Sequence, residues 1–255
     1  MNATLAQIQF VQPEHRIVWT ARSGGNLPEK LFMLRSFFVE YARSSRRSFP
    51  WRDPEVEPLK LLIAELLLVQ TRAESVVKVW PSLLKMYPTA ERLARARVQT
   101  LRRVLRPLGL QNQRARALRD LAGALVSQFH GDFPRSIPEL LSLPHVGLYV
   151  ACAVACFKHG QRVPIVDANV LRVLGRITGK DGGKELRRSP EIWETAWSIL
   201  PRTNFALHNY GILDFSAEVC KARGPLCTSC LLNNVCRYAG TLQVGAVEPK
   251  SGGKP

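Results

Sequence analysis

The spacing of apolar residues constrains the fold of this chain more than any other feature, because it follows the period of an α-helix throughout the central region. Leu31 to Tyr41 repeats with a period near 3.6, and Leu59 to Val69 is almost wholly apolar, as in a buried helix. No segment shows the sustained alternation of a β-strand. The sequence therefore predicts an all-α fold. Short turns, several marked by Pro or Gly, separate further predicted helices at about residues 73–86, 89–96, 98–106, 113–129, 137–142, 148–158, 168–177, 190–200 and 204–217.

The two ends of the chain differ in composition from this helical region. Residues 1–26 finish in a stretch that contains Ser and Gly, and residues 239–255 contain many Gly, Lys and Pro residues, so both segments are predicted to be flexible. The N-terminal segment lacks the apolar core of a signal peptide, and no apolar run approaches the ~18 residues that span a bilayer. We therefore expect a protein of a reducing compartment, either the cytoplasm or, in a eukaryote, the nucleus.

Four of the six cysteines lie close together near the C-terminus, in the pattern C-x6-C-x2-C-x5-C. Such a group of thiolates suits zinc or an iron–sulfur centre. Zinc sites usually pair two C-x2-C knuckles, and this run has only one, so a 4Fe-4S cluster is favoured and a structural zinc is the alternative. Cys152 and Cys156 lie four residues apart on an apolar helix and are interpreted as small buried residues. The predicted ligands are Cys220, Cys227, Cys230 and Cys236.

A short turn between two predicted helices forms a second motif, Leu-Pro-His-Val-Gly-Leu-Tyr at residues 143–149. Pro144 ends one helix, and Gly147 permits an unusual backbone angle. The following helix begins with free N–H groups, which suit a phosphate, although many such turns bind nothing.

The overall charge of the chain is strongly positive, because 36 Lys and Arg residues stand against 20 Asp and Glu residues, a net charge of +16. This excess predicts a polyanionic partner, with nucleic acid ahead of an anionic membrane surface.

Asp167 stands just before a predicted helix, in the segment Val166-Asp167-Ala168-Asn169, where an aspartate is commonly an N-cap. The turn, this Val-Asp-x-Asn segment and the cysteine quartet together resemble, in order and spacing, the helix-hairpin-helix DNA glycosylases of the endonuclease III and adenine glycosylase type. The resemblance covers about residues 28–238. It implies a catalytic role for Asp167, and capping and catalysis can coexist.

The resemblance also implies an architecture and a set of DNA contacts. Residues 52–161 would form a helical barrel with the hairpin, and residues 27–51 and 162–238 a cluster lobe, with DNA in the cleft between them. The hairpin residues His145, Val146 and Gly147 are implied to contact DNA. The family usually has Gly at position 145, and a histidine tolerates a left-handed backbone better than most residues do.

The resemblance assigns chemistry to a tyrosine. Endonuclease III-type enzymes have a lysine that forms a Schiff base where this chain has Tyr149. Because a phenol cannot form an imine, the prediction is a monofunctional glycosylase that leaves an intact abasic site. A carboxylate such as Asp167 would stabilise the positive charge that builds on the sugar, and orient or deprotonate the attacking water. A tyrosine that only fills the core is the alternative for Tyr149.

Glu65 is a lone acid in the apolar helix, and such an acid is costly to bury without a partner or a function. In adenine glycosylases a glutamate at the matching place protonates the departing purine, and in G·T mismatch thymine glycosylases it helps to bind the base. A buried salt bridge to an arginine is the alternative. Gln70, at the end of this helix, is the candidate that fills the gap left by the flipped base, with a solvated glutamine as the alternative.

The segment Gly-Leu-Gln-Asn-Gln-Arg-Ala at residues 109–115 resembles the endonuclease III and mismatch thymine glycosylase branches, and adds Asn112 and Arg114 as DNA-contact candidates. The best overall match is the thymine/uracil mismatch branch. We therefore expect a monomer without a membrane partner that removes thymine or uracil opposite guanine from double-stranded DNA. The alternatives are an adenine glycosylase that acts opposite guanine or oxidised guanine, and a non-catalytic iron–sulfur DNA-binding protein.

Overall fold

Helices are the main secondary structure in the ranges that the structure, a computed structural model, describes: residues 27–130, 132–180 and 189–244. These ranges contain no strand, which confirms the predicted all-α class, and no helix in them is long and apolar enough to cross a membrane. The α-helices are α1 (Leu27–Ser44), α2 (Pro58–Leu68), α3 (Ala73–Met86), α4 (Ala90–Ala94), α5 (Val98–Leu105), α6 (Gln111–Phe129), α7 (Ile137–Ser142), α8 (Leu148–His159), α9 (Ala168–Thr178), α10 (Pro190–Ile199), α11 (Phe205–Glu218) and α12 (Arg237–Val244).

Three clusters of buried apolar side chains form the core. The first joins α2, α3, α5 and α6, and the second joins α2, α6, α7 and α8. The third joins α1, α9, α10 and α11. Helix α2 serves two clusters, because Leu61 and Ile63 pack in the first and Leu62 packs in the second. A helix covered on several sides needs apolar residues all round, which explains the nearly continuous apolar run and leaves Glu65 surrounded largely by apolar side chains.

Helices α1 and α11 approach each other very closely. A Cβ atom on Gly211 would lie 1.8 Å from the carbonyl oxygen of Phe38, so no other residue fits at this position without a shift of the backbone. Phe38 and Phe215 pack edge to face beside this contact, with ring centroids 5.7 Å apart. The close contact positions α11 and the loop after α1, both of which reach the cleft described below.

The C-terminal boundary differs from the prediction. Residues 239–244, predicted as the start of a flexible tail, complete α12 instead, and Ala239 is buried. A buried alanine gives this last helix an apolar contact that composition alone does not reveal. The predicted flexible segments 1–26 and 245–255 lie outside the described residues, and the boundaries of the two lobes stay a prediction.

Candidate active site

A cleft of about 570 Å³ brings together the three residues predicted to be catalytic, Glu65, Tyr149 and Asp167. They come from three elements that are far apart in sequence, namely α2, the first turn of α8 and the start of α9. The loop between α1 and α2 and the last turns of α11 complete the walls. The other lining residues include Arg47, Phe49, Trp51, Arg52, Gln70, Thr71, Asn169, Tyr210, Asp214 and Ser216.

Glu65 and Tyr149 form a hydrogen-bonded pair in this cleft. Glu65 exposes only 3% of its surface, and the Tyr149 hydroxyl donates to its Oε2 at 2.8 Å, so its direct partner is a phenol rather than an arginine. Burial raises the pKa of Glu65 from 4.5 to about 7, although the Tyr149 hydrogen bond and the charge of Arg52 act in the opposite direction. Near neutral pH this carboxyl can therefore donate or accept a proton.

Tyr149 remains a phenol over the whole physiological pH range. Burial of the ring, followed by the negative charges of Glu65 and Asp167, raises the pKa of Tyr149 well above its ordinary value. The tyrosine packs against the second core cluster and also reaches the cleft with its hydroxyl group. The core interpretation and the active-site interpretation therefore both describe part of its environment.

Asp167 is the N-cap of α9 and lines the cleft as well. Its Oδ1 accepts the backbone N–H groups of Asn169 and Val170, each at 2.8 Å, and its Oδ2 accepts the side-chain amide of Asn169 at 2.6 Å. A carboxylate offers about four acceptor positions, so these three bonds leave one free. The cap thus fixes the orientation of the carboxylate without consuming its capacity to accept a further proton or hydrogen bond.

The segment that delivers Asp167 to the cleft is held by a residue that sequence reasoning missed. Asn209, buried on α11, accepts the N–H of Ile165 at 3.2 Å and donates to the carbonyl of Val163 at 3.0 Å. The same amide donates to the Sγ of Cys156 at 3.3 Å. An asparagine in an apolar helix could have been singled out on the ground that applied to Glu65, because a buried amide needs partners.

A second buried acid, Asp214, lies beside the pair and was also not predicted as a site residue. The residue is 1% exposed, and Arg52 donates to both of its oxygens, at 2.7 and 2.8 Å. Arg47 approaches the same carboxylate at 3.2 Å. The guanidinium of Arg52 lies over the rings of Tyr210 and Phe49, at 4.4 and 5.0 Å from their centroids. These contacts fix a positive charge close enough to lower the pKa of Glu65.

Gln70 and Arg114, both predicted DNA contacts, occupy opposite sides of one loop. Gln70 is exposed, lines the cleft and has a left-handed backbone with φ of 57°. Arg114 is only 7% exposed and donates to the carbonyl oxygens of Leu67 and Val69. The prediction that Arg114 contacts phosphate is therefore wrong, because its guanidinium is buried against the loop. Asn112 is exposed in the first turn of α6.

The hairpin between α7 and α8 corrects two further predictions. The left-handed residue is His145, with φ of 65°, whereas Gly147 has an extended backbone with φ of −92°. Val146 is buried in the second core cluster and its N–H donates to Leu143 at 3.3 Å, so it is not free to bind phosphate as predicted. Gly147 caps α8 with open space where a Cβ would stand. His145 is exposed, and its Nε2 lies 3.4 Å from Asp120.

The four predicted ligand cysteines line one cavity between α9, α11 and α12. Within the described ranges, no three His, Cys, Asp or Glu side chains are arranged to hold a single metal ion. Arg176 donates to the Sγ of Cys220 at 3.4 Å and lies 4.7 Å over the ring of Tyr238. Arg176 also donates to the carbonyl of Lys221 at 2.7 Å, which ties the start of the cysteine loop to α9.

Comparison with known proteins agrees with this geometry. Residues 63–197, more than half of the chain, match the HhH-GPD superfamily of base excision DNA repair proteins. The thymine-DNA glycosylase of Aeropyrum pernix is 38% identical over 209 residues, which cover 80% of this chain and 93% of that protein. The thymine/uracil-DNA glycosylase of Pyrobaculum aerophilum is 36% identical over 202 residues, 78% of this chain and 87% of that protein.

A solved structure supports the same relationship. The structure of a thermostable thymine-DNA glycosylase aligns with a TM-score of 0.76 at 31% identity, and the alignment covers 84% of this chain and 98% of the other. The family match spans α2 to α10, and therefore includes Glu65, the hairpin and Asp167. This chain is a member of the HhH-GPD superfamily of base excision DNA repair proteins.

Proposed function

We propose that this chain is a DNA glycosylase that hydrolyses the N-glycosidic bond of thymine or uracil opposite guanine and leaves the resulting abasic site uncut. The observation that carries the proposal is the meeting of Asp167 with the Glu65–Tyr149 pair in one cleft. The similarity to thymine- and thymine/uracil-DNA glycosylases supports the choice of base.

The reaction follows from the charges that develop as the bond breaks. The electron pair of the bond between C1′ and the base nitrogen leaves with the base, and the sugar becomes cationic. Asp167, whose carboxylate is fixed by its cap hydrogen bonds, stabilises that cation electrostatically. The oxygen of a water molecule then attacks C1′, and a proton of this water passes to the free acceptor position of Asp167.

Glu65 interacts with the departing base, and Tyr149 determines whether the DNA strand is cut afterwards. In its protonated form, Glu65 donates a hydrogen bond to a carbonyl oxygen of the pyrimidine, where negative charge collects. Tyr149 presents a neutral phenol where a lyase needs an amine, so no imine forms and the strand stays intact. A base must leave the helical stack before it can reach this cleft. Gln70, which lines the edge of the cleft, would then occupy the gap that the displaced base leaves in the helix.

The four cysteines are proposed to hold a 4Fe-4S cluster. The four cysteines line one cavity between α9, α11 and α12, and their spacing contains a single C-x2-C pair, whereas zinc sites usually have two. A neighbouring guanidinium, from Arg176, suits the negative charge of such a thiolate centre. When bound, the cluster would brace the loop between α11 and α12. Iron and acid-labile sulfide in equal amounts are expected in the purified protein, and one zinc per chain in their place would refute this assignment.

A panel of duplexes tests the activity. Each duplex carries one G·T, G·U, A·T or oxidised G·A pair, and alkali reveals abasic sites after incubation. We expect cleavage of the thymine or uracil strand of the mismatches only after alkali treatment. Release of adenine alone would replace the proposal with the adenine glycosylase, which the pKa of Glu65, near 7, also suits as a general acid. Salt-dependent DNA binding with no release of any base would identify a non-catalytic protein.

A further inference from the structure

The loop after α2 is supported from within the protein by an arginine of a different helix. One Nη atom of Arg114 donates to the carbonyl of Leu67 at 2.6 Å. The other donates to the carbonyl of Val69 at 3.0 Å and to the Oγ1 of Thr71. These acceptors lie on both sides of Gln70. One planar guanidinium therefore fixes the residues before and after the exposed glutamine.

The position of this guanidinium suits its charge. The last carbonyl groups of a helix lack partners within the helix and carry the negative end of its dipole. Helix α2 ends at Leu68, so Arg114 satisfies carbonyl groups at that end. A buried charge is retained only when such partners hold it, and the fork geometry of arginine can reach two carbonyl groups at once, which a lysine cannot do equally well.

The same arginine lies close to a second strained residue. Gln70 and Leu110 both have left-handed backbones, with φ of 57° and 49°, which are uncommon for residues other than glycine. Strained conformations persist where the surrounding structure holds them. The N–H of Arg114 bonds to the carbonyl of Leu110 at 3.0 Å, and Gln70, Leu110 and His145 line one surface cavity. The side chain of Arg114 thus holds the loop around Gln70, and its backbone belongs to the first turn of the helix that begins after Leu110.

We propose that Arg114 is a positioning residue for base flipping, which rests on the function proposed above. By holding the loop on both sides of Gln70, it keeps that side chain directed toward DNA before binding. The entropy cost of ordering the loop is then met during folding rather than during each encounter with a duplex. Loss of this support should therefore affect duplex substrates selectively. An ordered Gln70 side chain helps when a base has to be displaced from a duplex, and it contributes little when the base is already unpaired.

Arg114→Met removes the donors and keeps a long apolar side chain, and Arg119→Met, at an exposed arginine of the same helix, is the control for the lost charge. Single-turnover release of uracil is measured from a G·U duplex and from the same strand without its complement. Relative to the control, we expect the duplex rate to fall at least about tenfold, because small misplacements are costly, and the single-strand rate to fall less than about twofold. Equal losses on both substrates, or no loss on the duplex, would overturn the inference.

A second measurement detects displacement of the base without cleavage of the N-glycosidic bond. In an Asp167→Asn background, 2-aminopurine beside the uracil of the G·U duplex becomes more fluorescent when its neighbour leaves the stack. We expect this rise to be lost with Arg114→Met, retained with Arg119→Met and partly restored with Arg114→Lys. An unchanged rise in Arg114→Met would refute the positioning role.

A second variant applies if Arg114→Met does not fold. Thr71→Val removes one acceptor of the Arg114 guanidinium and is expected to reduce the duplex rate several-fold, in proportion to one lost hydrogen bond. An unchanged duplex rate in this variant would count against the inference. If the wild-type protein releases no uracil from either substrate, the proposed function itself fails.

Discussion

Replacement of Glu65 by glutamine should make the protein more stable at neutral and alkaline pH. The side chain is 3% exposed and sits in an apolar helix, where its ionised form loses most of its hydration. Glutamine has the same shape, keeps an oxygen that can accept the Tyr149 hydroxyl, and cannot ionise. The substitution therefore removes a buried charge and retains the hydrogen bond that the structure shows at 2.8 Å.

The size of the effect follows from the pKa of Glu65. Its folded-state pKa is about 7, and the ordinary value is 4.5. Because folding raises this pKa, the wild-type contribution to stability is fully present below pH 4.5 and is lost as the pH rises to 7. At 1.4 kcal/mol per unit, the free energy of unfolding of Glu65→Gln should exceed that of the wild type by about 1 kcal/mol at pH 5, and by about 3 kcal/mol at pH 7 and above.

Urea unfolding of the wild type and of Glu65→Gln at pH 5, 6, 7 and 8 measures this difference in the free energy of unfolding. Titratable groups that both proteins share contribute equally to the two values and cancel in the difference. Glu55→Gln, at an exposed carboxyl, is the matched control for the loss of one titratable group. A difference between wild type and Glu65→Gln that stays constant with pH would refute the reasoning, as would a wild type that gains stability over the variant as the pH rises. Either result would mean that Glu65 is ionised in the folded protein without a burial penalty.

Three further substitutions test the site and the packing that positions it. Asp167→Asn should keep the α9 cap and DNA binding yet lower base release by about 10²–10⁴-fold, the usual contribution of a catalytic acid or base, and full activity in a single-turnover assay would contradict its role. Tyr149→Lys should introduce an amine that can be trapped on substrate DNA with borohydride, whereas trapping of the wild type would disprove the monofunctional proposal. Gly211→Ala should lower the free energy of unfolding by about 2 kcal/mol or more, because the new Cβ would meet the Phe38 carbonyl, and an unchanged thermal midpoint would rule out that contact.

Local patterns in the sequence were sufficient for the helices and for several site residues. The 3.6-residue period reports which face of a helix is covered, so the all-α class followed without tertiary information. Glu65 was recognisable because a lone acid in an apolar run needs a partner or a function, and the turn at residues 143–149 was recognisable from its Pro and Gly, although the positive φ belongs to His145 and not to Gly147. In both cases the signal lies within a few residues of the position that it describes.

The wrong predictions share a different cause. Arg114 looks like any other arginine at the start of a basic helix, and only the packing of α6 against the end of α2 turns its guanidinium toward carbonyl groups instead of solvent. Val146 lies in a motif that suits phosphate, yet its N–H already has a partner three residues earlier. The pairing of Arg52 with Asp214 joins positions that lie 162 residues apart, and no local pattern connects them.

The sequence by itself determined the helical class, the cysteine spacing and the chemical types of residue available for a reaction on DNA, because periodicity, spacing and functional groups are properties of short segments. Only the tertiary structure decided which of these groups meet. It raised the pKa of Glu65 by surrounding it with packed helices, oriented Asp167 through the start of α9, and withdrew Arg114 from the surface. Proximity, desolvation and hydrogen-bond partnership depend on atoms contributed by distant parts of the chain, and these atoms come together only when the helices pack.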